Sequence, residues 1–234
     1  MKKSLFFLMI IAIFYSCKNS EKETKMERKS YADIESRLKI HKENSQKYID
    51  NDNSKKAFKY DDSLKYLIIS SYIEKYNFQT IDSSIYNSYD RKKPLFLQVT
   101  ASWCEPCQFE VQALNKIAEK YNEEVDFVLL FWDNQMETEK LAHNYNKNIV
   151  LVPSIKKHSK GKAIDISGFK HFLGFPTNYL ITTSNQIINL YGGAMIPVTY
   201  TDPNGKEITV TKEEANQINY NNLESEIKEL IKKN

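Results

Sequence analysis

LFLQVTASWCEPCQFEVQALNKIAEKY, residues 95–121, changes its hydrophobic period half-way along. Leu95, Phe96, Leu97 and Val99 form a short apolar run behind Asp90-Arg91-Lys92-Lys93 and Pro94, the pattern of a strand covered on both faces. From Cys107 onward the spacing becomes helical: Cys107, Glu110, Val111, Leu114, Ile117, Ala118 and Tyr121 fall at three- and four-residue steps, one stripe of a helix packed back on that strand. Cys104 then stands at the helix start and Cys107 one turn inside it. Pro106 suits a first turn, where its missing N–H would be unpaired anyway, and Trp103 closes the turn as a bulky shield.

The placement has a chemical consequence. Thiolate is the nucleophile, and a helix N-terminus offers free N–H groups and the positive end of a dipole to stabilise it, so Cys104 is the candidate attacker. Three residues on, Cys107 lies on the same face, close enough to form a disulfide and to resolve a mixed disulfide on Cys104. The competing use of a Cys-x-x-Cys is half of a zinc site. Zinc needs four ligands, the only other cysteine is Cys17, and His41, His143, His158 and His171 are scattered without ligand spacing. No metal or other cofactor is expected.

Trp103-Cys104-Glu105-Pro106-Cys107 resembles the W-C-x-x-C active site of the thioredoxin superfamily. The Glu-Pro dipeptide and Glu110, three residues after the second cysteine, resemble more narrowly the membrane-tethered thioredoxin-like reductases of the TlpA/ResA type. The resemblance implies an α/β thioredoxin fold, a mixed central sheet flanked by helices, and a proton-handling role for Glu110. It also implies that Gly174-Phe175-Pro176-Thr177 is the loop facing the dithiol, with Pro176 cis, Phe175 before it and a strand following; the plain alternative is a trans proline that merely starts a strand. Two residues depart from the pattern. Gln98 stands where thioredoxin itself has a buried Asp, so an Asp-mediated proton relay is not expected, and Gln112 stands where many members have a helix-kinking proline.

The rest of the chain supplies the setting. Residues 1–17 read as a targeting segment: Lys2 and Lys3, an apolar run from Leu5 to Tyr15, then Ser16-Cys17, which resembles a lipoprotein cleavage box with Cys17 as the lipidated residue. An ordinary secretory signal is the alternative. Either places the domain outside the cytoplasm, in the periplasm or cell envelope, where protein disulfides persist. Residues 18–30 are charged and read as a flexible tether, and 31–77 as a helical extension, although Tyr66 to Ile69 would also suit a strand. The domain itself is expected over 78–234. It should open with short strands in Phe78–Tyr89 and continue with a second core strand over Val125–Trp132 and a helix over Glu137–Asn146. A hairpin about Thr183-Ser184-Asn185 and another about Asp202-Pro203-Asn204-Gly205 should precede a last helix with a Thr211/Glu214 capping box. Asn148 to Lys170, with Pro153, Gly161 and Gly168, reads as polar and irregular.

With 33 Lys plus Arg against 30 Asp plus Glu and no basic stripe interleaved with aromatics, nucleic-acid binding has little support. The expectation is therefore a membrane-tethered thiol-disulfide oxidoreductase that reduces disulfide-containing envelope proteins and draws electrons from a membrane thiol donor. Glu110, on the apolar stripe one turn after Cys107, should be partly desolvated and resist ionisation, which lets it exchange protons with the dithiol. Negative charge at Glu105 and Glu110 is also expected to disfavour the thiolate and so make the protein a reductant. The alternative is a thioredoxin-fold binding module whose redox turnover is incidental.

Overall fold

A computed structural model describes residues 29–69, 71–155 and 164–234. The proposed signal and lipidation residue Cys17, nearly all of the tether and the middle of the 148–170 stretch lie outside the described residues. Within them the elements run α1 (Tyr31–Ile49), α2 (Ser54–Ile68), β1 (Asn77–Gln79), β2 (Ile85–Asn87), β3 (Leu95–Thr100), α3 (Glu105–Tyr121), β4 (Asp126–Phe131), α4 (Gln135–Leu141) and β5 (Ile149–Val152). There follow β6 (Ile164–Ile166), β7 (Phe169–His171), β8 (Thr177–Ile181), β9 (Ile187–Gly192), β10 (Val198–Thr201), β11 (Glu207–Val210) and α5 (Lys212–Lys233).

The central sheet has the order β5-β4-β3-β8-β9. β3, β4 and β5 are parallel, while β8 is antiparallel to β3 and to β9, so the sheet is mixed. β3 occupies the middle and is buried at all six positions. Its residues alternate between two cores, as the two-residue period of a strand requires. Leu95, Leu97 and Val99 face a cluster that includes Tyr31, Ile34 and Leu38 of α1, Leu64 and Ile68 of α2, and Phe169 of β7. Phe96 faces the opposite cluster, built with Leu114 and Ile117 of α3 and Leu223, Ile227 and Leu230 of α5.

The helices start where their caps dictate. Ser30 with Asp33, Asn134 with Glu137 and Thr211 with Glu214 all form reciprocal capping boxes, the last as the sequence pattern predicts. α2 settles the ambiguity at Tyr66–Ile69 in favour of helix through Ile68, with Ile69 extended as its C-cap. The expected helix over Glu137–Asn146 is shorter, ending at Leu141, with a 3₁₀ turn over Ala142–Asn144.

One expectation is overturned. The stretch from 148 is not irregular at its start: Ile149–Val152 is an outer parallel strand paired residue for residue with Phe127–Leu130, and β6 and β7 form a hairpin further on. Four residues between Asn148 and Pro153 carry too short a period to identify, and only the partner strand makes them a strand. The fold also takes in more than the expected 78–234. Tyr31 N–H donates to Tyr72 O at 2.8 Å, Ile73 N–H to Asn185 O at 2.9 Å and Ile187 N–H to Ser71 O at 2.8 Å, and Tyr31 stacks on Phe169. The helical extension therefore packs against the domain and covers one face of the sheet.

This shared core generates a test. Leu38→Ala and Leu64→Ala, each at a fully buried position on the extension, are expected to lower the unfolding free energy of the whole chain by about 2–5 kcal/mol in one cooperative urea transition. An unchanged main transition, with the helices melting separately, would contradict it.

Candidate active site

Thr100 ends β3, and the chain turns through Ala101-Ser102-Trp103 into α3. Asp133, buried just beyond β4, holds that turn: its carboxylate accepts from Ser102 N–H at 2.7 Å and from the Ser102 hydroxyl. Cys104 is the N-cap residue, extended at φ −83° and ψ 104°, and its Sγ accepts from Cys107 N–H at 3.2 Å. Sulfur thus occupies the capping position that an oxygen usually fills. Cys104 and Cys107 are joined as a disulfide with their Cα atoms 5.3 Å apart. Each is only 5% exposed.

Trp103 is no closed shield. It is 58% exposed, and its ring meets Trp132 and Phe175 edge-on, with centroids 5.9 and 5.3 Å away. Glu105 is exposed beside it and Pro106 sits in the first turn of α3. Across from the cysteines, the Phe175-Pro176 peptide is cis. Pro176 is fixed from behind by Gly193, whose N–H reaches Pro176 O at 2.9 Å and whose φ of +82° favours glycine. Thr177 is buried and donates its hydroxyl to Gly174 O at 2.7 Å. His171 completes the support of this loop, with Nε2 3.1 Å from Gly174 O and Nδ1 2.8 Å from the Tyr179 hydroxyl. The carbonyl can only accept, so Nε2 carries the proton and Nδ1 accepts from Tyr179. Burial pushes His171 down to about 4, and it is neutral at pH 7.

Beneath the disulfide lies a buried polar network. Gln98 of β3 and Asn178 of β8 are direct cross-strand partners. Gln98 Nε2 donates to Glu110 Oε2 at 2.7 Å and to Asn178 Oδ1 at 2.8 Å, and Asn178 Nδ2 donates to Glu226 Oε2 at 2.9 Å. Burial and then the Glu226 carboxyl raise Glu110 from 4.5 to about 8, against the Gln98 hydrogen bond. Burial likewise raises Glu226 to about 7. Glu110 thus resists ionisation, as its place on the apolar stripe implies, and the negative charge also expected of it beside the dithiol is largely absent at neutral pH. Glu110 was legible in the sequence, and Gln98 only as a departure from the family pattern; Asn178, Asp133 and Glu226 were not singled out. A signal existed for Glu226, which falls three residues after Leu223 and four before Leu230 on the buried stripe of α5.

A Cys-x-x-Cys disulfide at a helix start, against a cis-proline loop and on a β3-α3-β4 unit with two antiparallel strands beside it, is one arrangement of fold and chemistry together. Residues 73–173 match the thioredoxin family model. The chain has the thioredoxin fold. The match begins four residues before β1 and stops short of Pro176, so β8, β9 and α5 are assigned to the domain by topology. The thioredoxin-like protein YneN of Bacillus subtilis is 24% identical over 103 residues, 44% of this chain; the chain spans 58% of that relative's length. Among solved structures, a Chlorobium tepidum protein described as a thiol:disulfide interchange protein DsbE is 18% identical, with a TM-score of 0.46, covering 68% of this chain and 94% of its own. The exposed lipoprotein thioredoxin Etrx1 of Streptococcus pneumoniae is 17% identical, with a TM-score of 0.41, covering 53% and 92%.

The buried acid makes the domain's stability depend on pH in a defined direction. Between the ordinary glutamate value and about 8, the folded chain keeps a proton on Glu110 that the unfolded chain has lost, so stability falls as pH rises through that window and levels off beyond it. Glu110→Gln is expected to flatten this fall, gaining on the parent by on the order of a few kcal/mol between pH 5 and 8.5. Urea midpoints at the two pH values measure it; parallel shifts in parent and variant would contradict the assignment.

Proposed function

We propose that the chain is a thiol-disulfide oxidoreductase that works outside the cytoplasm, tethered to a membrane through Cys17, and that it reduces disulfides of envelope proteins with electrons from a membrane thiol donor. The observation that carries the reading is the Cys104–Cys107 disulfide at the start of α3, with the buried carboxyl of Glu110 one turn further along the same helix.

In the reduced protein, Cys104 thiolate attacks one sulfur of a substrate disulfide; a Cys104–substrate bond forms and the other substrate sulfur leaves as thiolate. In the fraction of molecules whose Glu110 is ionised, Cys107 then loses its proton to that carboxylate and attacks Cys104 Sγ. The Cys104–Cys107 bond forms, the mixed disulfide breaks, and the electron pair departs on the second substrate sulfur. The substrate has gained two electrons and the protein is left as the disulfide with Glu110 protonated, the state that burial favours. Recharging runs in reverse. A donor thiolate attacks Cys104 Sγ, Cys107 leaves as thiolate, and Glu110 hands back its proton; a second donor thiol releases Cys104. An acid near 8 suits both directions, because a proton-transfer group works best when its pKa lies near the operating pH. Phe175 offers backbone and ring to an extended substrate segment, beside Trp103 and Trp132.

A reducing direction is supported by the charges present. Glu105 is exposed and screened by solvent, the neutral His171 adds no cation, and Glu110 is mostly uncharged, so the dipole of α3 is the chief stabiliser of the Cys104 thiolate. Glutathione titration is expected to place the couple nearer thioredoxin's roughly −270 mV than the about −120 mV of a strong oxidant; a value at the oxidant end would overturn the direction. Cys104→Ser is expected to abolish insulin reduction and Cys107→Ser to accumulate mixed disulfides on envelope proteins. Failure of both would sink the activity. Cys17→Ser is expected to release the protein from membranes or block its maturation, read by fractionation and labelled fatty-acid incorporation; parent protein that takes up no label would remove the lipid anchor.

A further inference from the structure

Glu226 has no part in the reading above, yet it is the second carboxyl of the same network. It reaches the site from α5, is 7% exposed against 4% for Glu110, and is tied to Glu110 by the two amides Gln98 and Asn178. The two glutamates also line one cavity of about 270 Å³, with Asn219, Asn222 and Ser225 of α5 and Tyr191 of β9. At about 30 Å³ per water molecule, such a space has room for several. Its wall is polar and it lies behind Pro176, next to Gly193.

Resting on the dithiol reading, we propose that Glu226 is a positioning residue of the active site: it forms with Glu110 one coupled carboxyl pair, and the cavity they line is the water path by which the dithiol's proton reaches solvent. Neutral amides hold a geometry but do not carry a proton, so Gln98 and Asn178 fix the spacing of the two acids while transfer runs through the cavity. Two carboxyls in one low-dielectric site resist simultaneous ionisation, and loss of a proton from one makes loss from the other harder. Glu226 therefore sets the pH at which Glu110 can take the Cys107 proton.

The surrounding charges leave this coupling intact. Tyr191 faces Glu226 as a neutral phenol, with Lys65 of α2 over its ring at 5.5 Å. Glu229, one turn along α5, bonds to Lys233 at 2.6 Å and to Asn189 and Tyr191, and its negative charge further disfavours ionised Glu226. Tyr145, after the 3₁₀ turn, lies on the Glu110 side as another neutral phenol and interacts with Asp133 as well.

The disulfide form of the full chain allows a direct test, because its thiols cannot titrate. In glutamate labelled with ¹³C at the side-chain carboxyl, NMR titration should show two groups changing well above the exposed glutamates, each curve bending at both steps. Glu226→Gln keeps an oxygen to accept from Asn178 and should lower the Glu110 midpoint by about one pH unit; Glu226→Asp should restore much of the shift. In the reduced protein, the pH profile of Cys107-dependent disulfide closure should move acidward by the same amount in Glu226→Gln. An unmoved Glu110 midpoint overturns the proposal. If the variants do not fold, two independent single-step curves in the parent, or a Glu226 that titrates with the exposed glutamates, overturn it too. A parent protein that fails to reduce insulin while these titrations come out as expected would count against the dithiol activity and leave the pair standing, so the two failures are distinguishable.

Discussion

The complete burial of β3 is the constraint from which the rest follows. A central strand with six buried side chains needs cover on both faces, and each unit of apolar area removed from water contributes only about 25 cal/mol per Å². One face is covered by α3 and α5, the other by α1, α2 and the β6–β7 hairpin. The parallel β3–β4 pair brings the ends of both strands to one edge, where Trp132 N–H donates to Thr100 O at 2.9 Å, and the dithiol turn leaves the sheet at that edge. The reactive sulfurs are thus positioned by the most tightly held strand in the molecule, while the Trp103 side chain beside them stays exposed.

Gln98 is the exception within that strand, and its neighbours are exceptions too. Burying polar groups costs stability unless each is hydrogen-bonded, and buried carboxyls keep their protons when no cation is at hand. Gln98, Asn178, Glu110 and Glu226 meet the first condition through three hydrogen bonds and the second through their raised pKa values. A wholly apolar packing at these positions would fill the same space without that cost, and local departures of this kind are typical of functional sites. On the opposite side of the sheet, the buried Tyr31–Phe169–Tyr179–His171 aromatic group runs from the first helix to the loop of Pro176. The extension is by that route part of what supports the site.

Much of this was legible from residues 95–121 because a strand run, a helical stripe and a Cys-x-x-Cys at their junction are local patterns with fixed periods. The capping box at Thr211 and the strand after Pro176 were legible for the same reason. β5 was not, since four apolar residues have no measurable period, and neither was the role of α1 and α2, whose apolar residues show a stripe but not what it packs against. Gln98 could be seen only as a departure from a family pattern.

By itself, the sequence determined the dithiol and its place at a helix N-terminus, because each depends on neighbours within a few residues; the proline loop opposite came only through the family resemblance. Only the tertiary structure decided the charge of the site. Whether Glu110 is an anion or an acid depends on how much water and which other charges surround it, and those are set by β8 and α5, which the chain brings back from far along its length. The same desolvation that hides Glu226 from a residue-by-residue reading makes the two carboxyls sense each other.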